Sequence, residues 1–152
     1  MAGAKHSESR ALRPAPVRYK LSASTLRSGT MRTTYDAITP YITKDGSEVR
    51  ELMHPAVHGN ARQSFAEATV APHACTALHR HRIAEEIYHV TSGAGLMTLG
   101  GEQFAVRAGD TIAIAPGTPH CIANTGDVPL KIICACSPAY SHDDTEVMEA
   151  GR

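Results

Sequence analysis

The chain contains no tryptophan and two phenylalanines, and aromatic residues make up 5% of its 152 residues. A core of large rings is excluded, so any core is built mainly from Ala, Val, Ile and Leu. Net charge is also missing: 15 Lys plus Arg balance 15 Asp plus Glu. Without the basic face that phosphate binding needs, nucleic acid is not an expected partner. No apolar run is long enough to span a bilayer, and the N-terminus lacks the apolar stretch of a secretory signal. No membrane partner is expected, and a cytoplasmic location is. Cysteines are few, at Cys75, Cys121, Cys134 and Cys136, with no CxxC or zinc-ribbon spacing. They read as reduced thiols, in keeping with a cytoplasmic protein.

What the chain has in unusual number is histidine, nine in all. Histidine is the commonest metal ligand. At 16.2 kDa the chain suffices for one domain with a sizeable core and is too short for two ordinary ones.

Residues 1–32 carry Lys5, Arg10, Arg13, Arg18, Lys20, Arg27 and Arg32 against only Glu8, with Pro, Ser and Ala between them. A segment of this kind buries too little to offset its chain entropy, so it is expected to be a disordered basic extension. A single domain is expected over 33–140, followed by a polar C-terminal tail over 141–152; Tyr140 and His142, on either side of the join, are expected on the surface. Within the first part of the domain, Asp45-Gly46 signals a turn, and the residues after it could open a short helix or a covering strand. Pro55 argues for a loop between His54 and His58. Those two histidines, with Arg62 and Gln63, are expected on a surface loop.

From residue 64 onward the signals become regular. Strand candidates fall at 64–70, 78–81, 86–91, 96–99, 102–106, 111–115, 120–123 and 130–136. Turn chemistry separates them: residues 92–95 read SGAG, Gly100-Gly101 is a two-residue hairpin signal, and Gly109-Asp110, Pro116-Gly117 and Gly126-Asp127 follow. Short strands at even spacing predict an all-β barrel or sandwich.

Three side chains in the stretch LHRHRIAEEIYHVTSG, residues 78–93, can converge on one ion. In an extended segment side chains alternate, so His79 and His81 point one way and Arg80 the other. A carboxylate at Glu85 or Glu86 can reach back to the same point. Imidazole nitrogens with a carboxylate oxygen suit divalent first-row transition metals. Further on, the stretch GDTIAIAPGTPHCIAN, residues 109–124, brings in His120 after a Pro-Gly turn.

Together these two stretches resemble the paired motifs of the cupin superfamily. The first motif, G-x5-H-x-H-x3-4-E-x6-G, is matched by His79, His81, Glu86 and Gly93, with His73 where the leading Gly would stand. The second, G-x5-P-x-G-x2-H-x3-N, is matched by Gly109, Gly117, His120 and Asn124, with Ala115 in place of the first Pro. The resemblance covers roughly residues 65–138. It selects Glu86 over Glu85, since Glu86 gives the six-residue step to Gly93. It implies a double-stranded β-helix, the jelly-roll or cupin barrel, and four metal ligands: His79, His81, Glu86 and His120.

That donor set implies one divalent transition metal, iron first and Zn, Mn, Ni or Cu as alternatives, with two adjacent positions left open on a six-coordinate ion. Tyr88 shares strand parity with Glu86 and is the candidate catalytic residue, as a substrate contact or proton donor, while His89 faces away. Asn124 is expected to satisfy backbone groups in a turn. Cys121 opposes His120 in parity and faces away from it; Cys134 and Cys136 share a face and read as small buried apolar residues. The expected function is a metal-dependent, dioxygenase-like oxidoreductase acting on a small organic substrate. A Lewis-acid isomerase, lyase or cyclase and a non-catalytic binding module are the other classes, since one fold hosts all three. A homodimer is expected.

Overall fold

The computed structural model describes residues 31–148. The extension expected over 1–32 therefore lies almost wholly outside the described residues. Strands appear in the order β1 (Tyr41–Ile42), β2 (Glu48–Met53), β3 (Ser64–Val70), β4 (His79–His81), β5 (Glu85–Ser92) and β6 (Ala94–Leu99). They continue with β7 (Glu102–Arg107), β8 (Thr111–Ile114), β9 (His120–Asn124), β10 (Leu130–Ser137) and β11 (Thr145–Val147). A four-residue helix, α1 (Pro55–His58), follows β2. Two antiparallel sheets result, one ordered β1-β2-β3-β10-β5-β8 and the other β11-β4-β9-β6-β7. This is the all-β arrangement expected from the turn spacing, in the jelly-roll form that the motif resemblance implied. No helix among the described residues is long and apolar enough to cross a membrane.

Strict alternation builds the interior. On β5 burial runs exposed, buried, exposed, buried through Glu85, Glu86, Ile87 and Tyr88, and β3 and β9 alternate the same way. The main core joins Val70, Val90, Val106, Ile112, Ile114, Ile122, Leu130 and Ile132 with Met97 and Tyr88. A chain poor in aromatics packs its centre with branched aliphatics that fit a pleated surface.

Turn chemistry holds where it was most specific. Gly100-Gly101 closes the β6–β7 hairpin between the paired residues Leu99 and Glu102. Asn124 is used fully in its turn, donating from Nδ2 to Val70 O and Val128 O and accepting from the Gly126 amide. His73, standing where the leading glycine of the first motif would be, has φ +59° and so adopts the left-handed backbone itself.

Three expectations change. Gly95 is not part of the turn after β5: it lies inside β6, opposite Asn124, because only a residue without Cβ fits beside the Ala123 carbonyl. Pro55 does not make a loop. It opens α1 at a position where its missing N–H costs nothing, and His54 caps the helix by accepting from the Ala56 amide. Of the two forms expected after Asp45-Gly46, the strand is the one adopted, as β2.

The third change concerns 141–152, expected as a polar tail. Residues 145–147 form β11 and extend the second sheet beside β4. Polarity misled because the polar groups are used internally: the Asp144 carboxylate accepts from the amides of Ile83 and Ala84, and Lys44 Nζ donates to the carbonyls of His142 and Thr145. Tyr140, expected on the surface, is half-buried and lines the interior cavity, and His142 is partly buried beside it.

Candidate metal centre

Four side chains meet between the two sheets. His79 and His81 come from β4 and His120 from β9, directly paired with His79, so the second sheet supplies three imidazoles. Glu86 comes from β5 in the first sheet and supplies the carboxylate. One ligand-capable atom from each lies within 4.8 Å of the other three. All four residues are at least 96% buried. Glu85, the competing carboxylate, is exposed on the other face of β5.

Hydrogen bonding on the outer side of each ring fixes what it presents inward. His79 Nδ1 lies 2.9 Å from Ala77 O, and His120 Nδ1 lies 2.9 Å from Thr118 O. A carbonyl only accepts, so both Nδ1 atoms carry the proton and both Nε2 atoms present lone pairs. His81 Nδ1 lies 3.0 Å from Thr145 Oγ1, whose own hydrogen goes to Ser141 O at 2.8 Å, so His81 Nδ1 is again the donor. Outer partners of this kind are what orient metal-binding histidines.

The inner side has too few protons for its acceptors. Glu86 Oε2 lies 3.0 Å from His81 Nε2 and 3.3 Å from His120 Nε2. His120 Nε2 is buried without a hydrogen-bond partner, since its approach to Glu86 lacks hydrogen-bond geometry. A buried nitrogen lone pair among acceptors is costly unless a cation is shared. Three neutral imidazoles and one carboxylate fit a divalent first-row ion.

Burial pushes the Glu86 carboxyl up, but in the metal-free chain His120 and His81, where their Nε2 atoms take up a proton, outweigh it and bring it to about 2. It is thus ionised throughout the neutral range. Burial, and then the charge of His120, holds His79 below its ordinary value, so its ring stays neutral and able to bind a metal.

Tyr88 points inward beside the cluster, its ring 5.8 Å from that of His120. Burial, and then the Glu86 charge, pushes its phenol well above its ordinary value, so it remains a proton-bearing donor. His89 faces outward and contacts Thr111 Oγ1. Cys121 lies on the outer side of β9, as parity requires. His54, His58, Arg62 and Gln63 lie outside the cavity.

Two neighbours of the cluster were not legible as such. Cys136, expected only as packing, is paired with Glu86 and donates its thiol to Glu86 Oε1 at 3.3 Å. Tyr140 packs edge-on against His81 with ring centres 5.8 Å apart. Strand pairing of β10 with β5 would have revealed the first, but pairing is not a local signal.

A cavity of about 50 Å³ opens beside the cluster, room for a few water molecules or a small ligand. His79, His81, Glu86 and Tyr88 line it on one side, and Tyr41 and Glu51 belong to its β1–β2 wall.

The sequence profile of the cupin domain matches residues 66–136. An uncharacterised protein of Methanocaldococcus jannaschii is 56% identical over 119 residues, spanning 78% of this chain and 95% of that protein. The crystal structure of a predicted oxalate decarboxylase from Thermotoga maritima superposes with a TM-score of 0.63 at 25% identity, covering 71% of this chain and 99% of the other. The polyketide cyclase RemF of Streptomyces resistomycificus shares the fold, with a TM-score of 0.68 at 18% identity over 82% of this chain and 89% of that one.

Proposed function

The chain belongs to the cupin superfamily, and we propose that it is a mononuclear metal-dependent enzyme for a small, oxygen-rich organic anion, with His79, His81, Glu86 and His120 as the metal ligands. One observation carries this reading: three imidazoles locked with their Nε2 lone pairs inward around an ionised, buried carboxylate. A bound divalent ion supplies Lewis acidity at its open positions.

This chain's own residues do the rest. Tyr88, held protonated, donates a hydrogen bond to substrate beside the cluster. The apolar core behind Tyr88 and His120 keeps bulk water from the inner face of the site. A cavity of about 50 Å³ limits the substrate to a few heavy atoms at the reacting end.

Between the reaction classes, the proton-bearing wall of the cavity favours non-redox chemistry: Tyr41, Glu51, Tyr88 and Tyr140 all line it, and isomerase, lyase or cyclase steps are proton movements. The predicted decarboxylase and the cyclase among the similar proteins support the same choice by analogy. The dioxygenase-like reading rests on the donor set, which suits iron as well as zinc, manganese, nickel or copper.

The deciding experiment is elemental analysis of untagged protein purified without nickel resin, alongside His79→Ala and His120→Ala. Near-stoichiometric metal lost in both variants supports the centre. Turnover of a screened substrate that persists without O2 supports the Lewis-acid class; turnover that stops without O2 assigns the oxidoreductase class instead. Wild-type protein that takes up no divalent ion defeats the metal-centre reading.

The homodimer is proposed through the outer face of the first sheet. There Met53, Phe65, Ala135, Ile87 and Ala113 form one laterally paired row, with Phe65 and Ile87 each more than 40% exposed. Solution scattering giving twice the chain mass supports it, and a monomer mass rejects it.

A further inference from the structure

Among the described residues, the buried side-chain atoms without a hydrogen-bond partner include His120 Nε2 in the cluster and Glu51 Oε1 on the cavity wall, besides Asn60 Oδ1 and His142 Nε2. A metal ion accounts for the first. It does not account for the second. Glu51 lies on β2 and is 93% buried. It pairs with Ala66 on β3, Ala66 with Cys134 on β10, and Cys134 with Tyr88 on β5. Residues paired across a ladder share a face, so this row points inward from end to end.

Its middle members are small. Ala66 and Cys134, with Ala68 one row on, leave open the space that longer side chains would fill, and that space is the cavity which Glu51 lines together with His79, His81 and Glu86. Tyr41 donates its phenol proton to Glu51 Oε2 at 3.1 Å. A carboxyl group with one oxygen held and the other unpartnered, on the wall of a cavity that also holds a metal-type cluster, is placed to exchange a proton with a ligand.

The titratable groups around it are Tyr41 on β1, His54 beyond the end of β2, and Cys134 and Cys136 on β10, and those facing it across the cavity are Asp45, Tyr140, Tyr88 and the cluster's His79, His81 and Glu86. Burial raises the Glu51 carboxyl above its ordinary value, and the charge of His54 and the hydrogen bond from Tyr41 offset part of the rise. His54 is engaged elsewhere through both ring nitrogens, accepting from the Ala56 amide and donating to Tyr140 O.

We propose that Glu51 is the acid–base residue of the cavity, giving a proton from Oε1 to the part of a small chelating carboxylate or enolate that points away from the histidine–glutamate cluster, and taking it back. This rests on the metal-centre reading. The O–H bond at Oε1 breaks as an O–H or C–H bond forms on the ligand, and no electrons leave or enter. The carboxylate left behind is stabilised by the Tyr41 O–H at Oε2, which makes the step reversible.

The test uses the full chain loaded with cobalt(II), with oxalate as probe because two of its oxygens can chelate while two remain. Wild type, Glu51→Gln and Glu51→Leu are titrated with oxalate by visible absorption between pH 5 and 8. Cobalt content is expected to be equal in all three. Oxalate affinity is expected to fall about tenfold or more in Glu51→Leu, the loss of a strong hydrogen bond, and to stay within about threefold of wild type at pH 5 in Glu51→Gln, whose amide still donates. Affinity in wild type is expected to weaken as pH rises, and this dependence should flatten in Glu51→Gln. Unchanged affinity in Glu51→Leu, or no oxalate binding by the loaded wild type, overturns the proposal. Should cobalt not bind, the metal-centre reading fails, and carboxyl-carbon NMR of the metal-free chain decides for Glu51. A midpoint above the ordinary glutamate value, rising further in Tyr41→Phe, upholds the acid–base role; a midpoint at or below it ends the idea.

Discussion

Cys136 stands directly across the β10–β5 ladder from Glu86 and donates its thiol to Glu86 Oε1, while Glu86 Oε2 is the atom that meets His81 and His120. One carboxylate oxygen is thus tied to the strand, and the other is kept for the cluster. Burial, and then the Glu86 charge, pushes the Cys136 thiol far up, so it stays a donor and does not compete as a thiolate ligand.

Cys136→Ala should leave Glu86 Oε1 buried without a donor and lower metal affinity by about tenfold, the low end of losses from such supporting contacts. Cys136→Ser, which keeps a donor, should lie nearer to wild type. Competition with a chromophoric chelator measures both, and equal affinity in Cys136→Ala would count against the role.

Thr145→Val removes the acceptor that fixes the His81 ring while keeping the side-chain shape. Metal affinity is expected to fall about 10- to 100-fold with little change in far-ultraviolet circular dichroism. The residue lies in β11, within the segment whose polarity suggested a tail. That error is instructive. Polar residues at 141–146 look solvent-exposed by composition, yet Asp144 and Thr145 are buried because each has found backbone or imidazole partners more than 55 residues away. By contrast His79, His81 and Glu86 were legible because parity within one short stretch decides which side they face. Glu51 was not, since its importance arises from Ala66 and Cys134 beside it, on strands distant in sequence.

Acid should weaken the metal-free fold in two stages. His79 has a folded value below its ordinary 6.5 and Glu86 one near 2, below its ordinary 4.5. For each, the unfolded chain binds the proton more readily, so the stabilisation is complete above the ordinary value and is lost as pH falls through the folded one. Glu51, raised by burial, works in the opposite sense and costs stability as pH climbs through its folded value. Urea midpoints in EDTA are expected to drop between pH 7.5 and 5.5 and again toward pH 3. In excess zinc the first drop should be steeper, because protons compete with the metal for the same imidazoles. A flat profile from pH 7.5 to 4 contradicts the assignment.

Gly95→Ala is expected to destabilise the protein by about 1–3 kcal/mol or more, since its Cβ would overlap the Ala123 carbonyl and press on Leu130 Cδ2. Gly101→Ala, with nothing within 4 Å of the added carbon, is the control and should change stability by less than about 1 kcal/mol. Denaturant unfolding compares them, and equal midpoints would mean the β6–β9 contact yields easily.

Three imidazoles ride on one sheet and the single carboxylate on the other. An ion held among them would therefore be a rivet through the sandwich, added to the side-chain packing and to the short turns, such as Gly93 between β5 and β6, that already join the two layers. Pulled apart in shear, the loaded molecule would hold its two layers in register more stiffly than the emptied one.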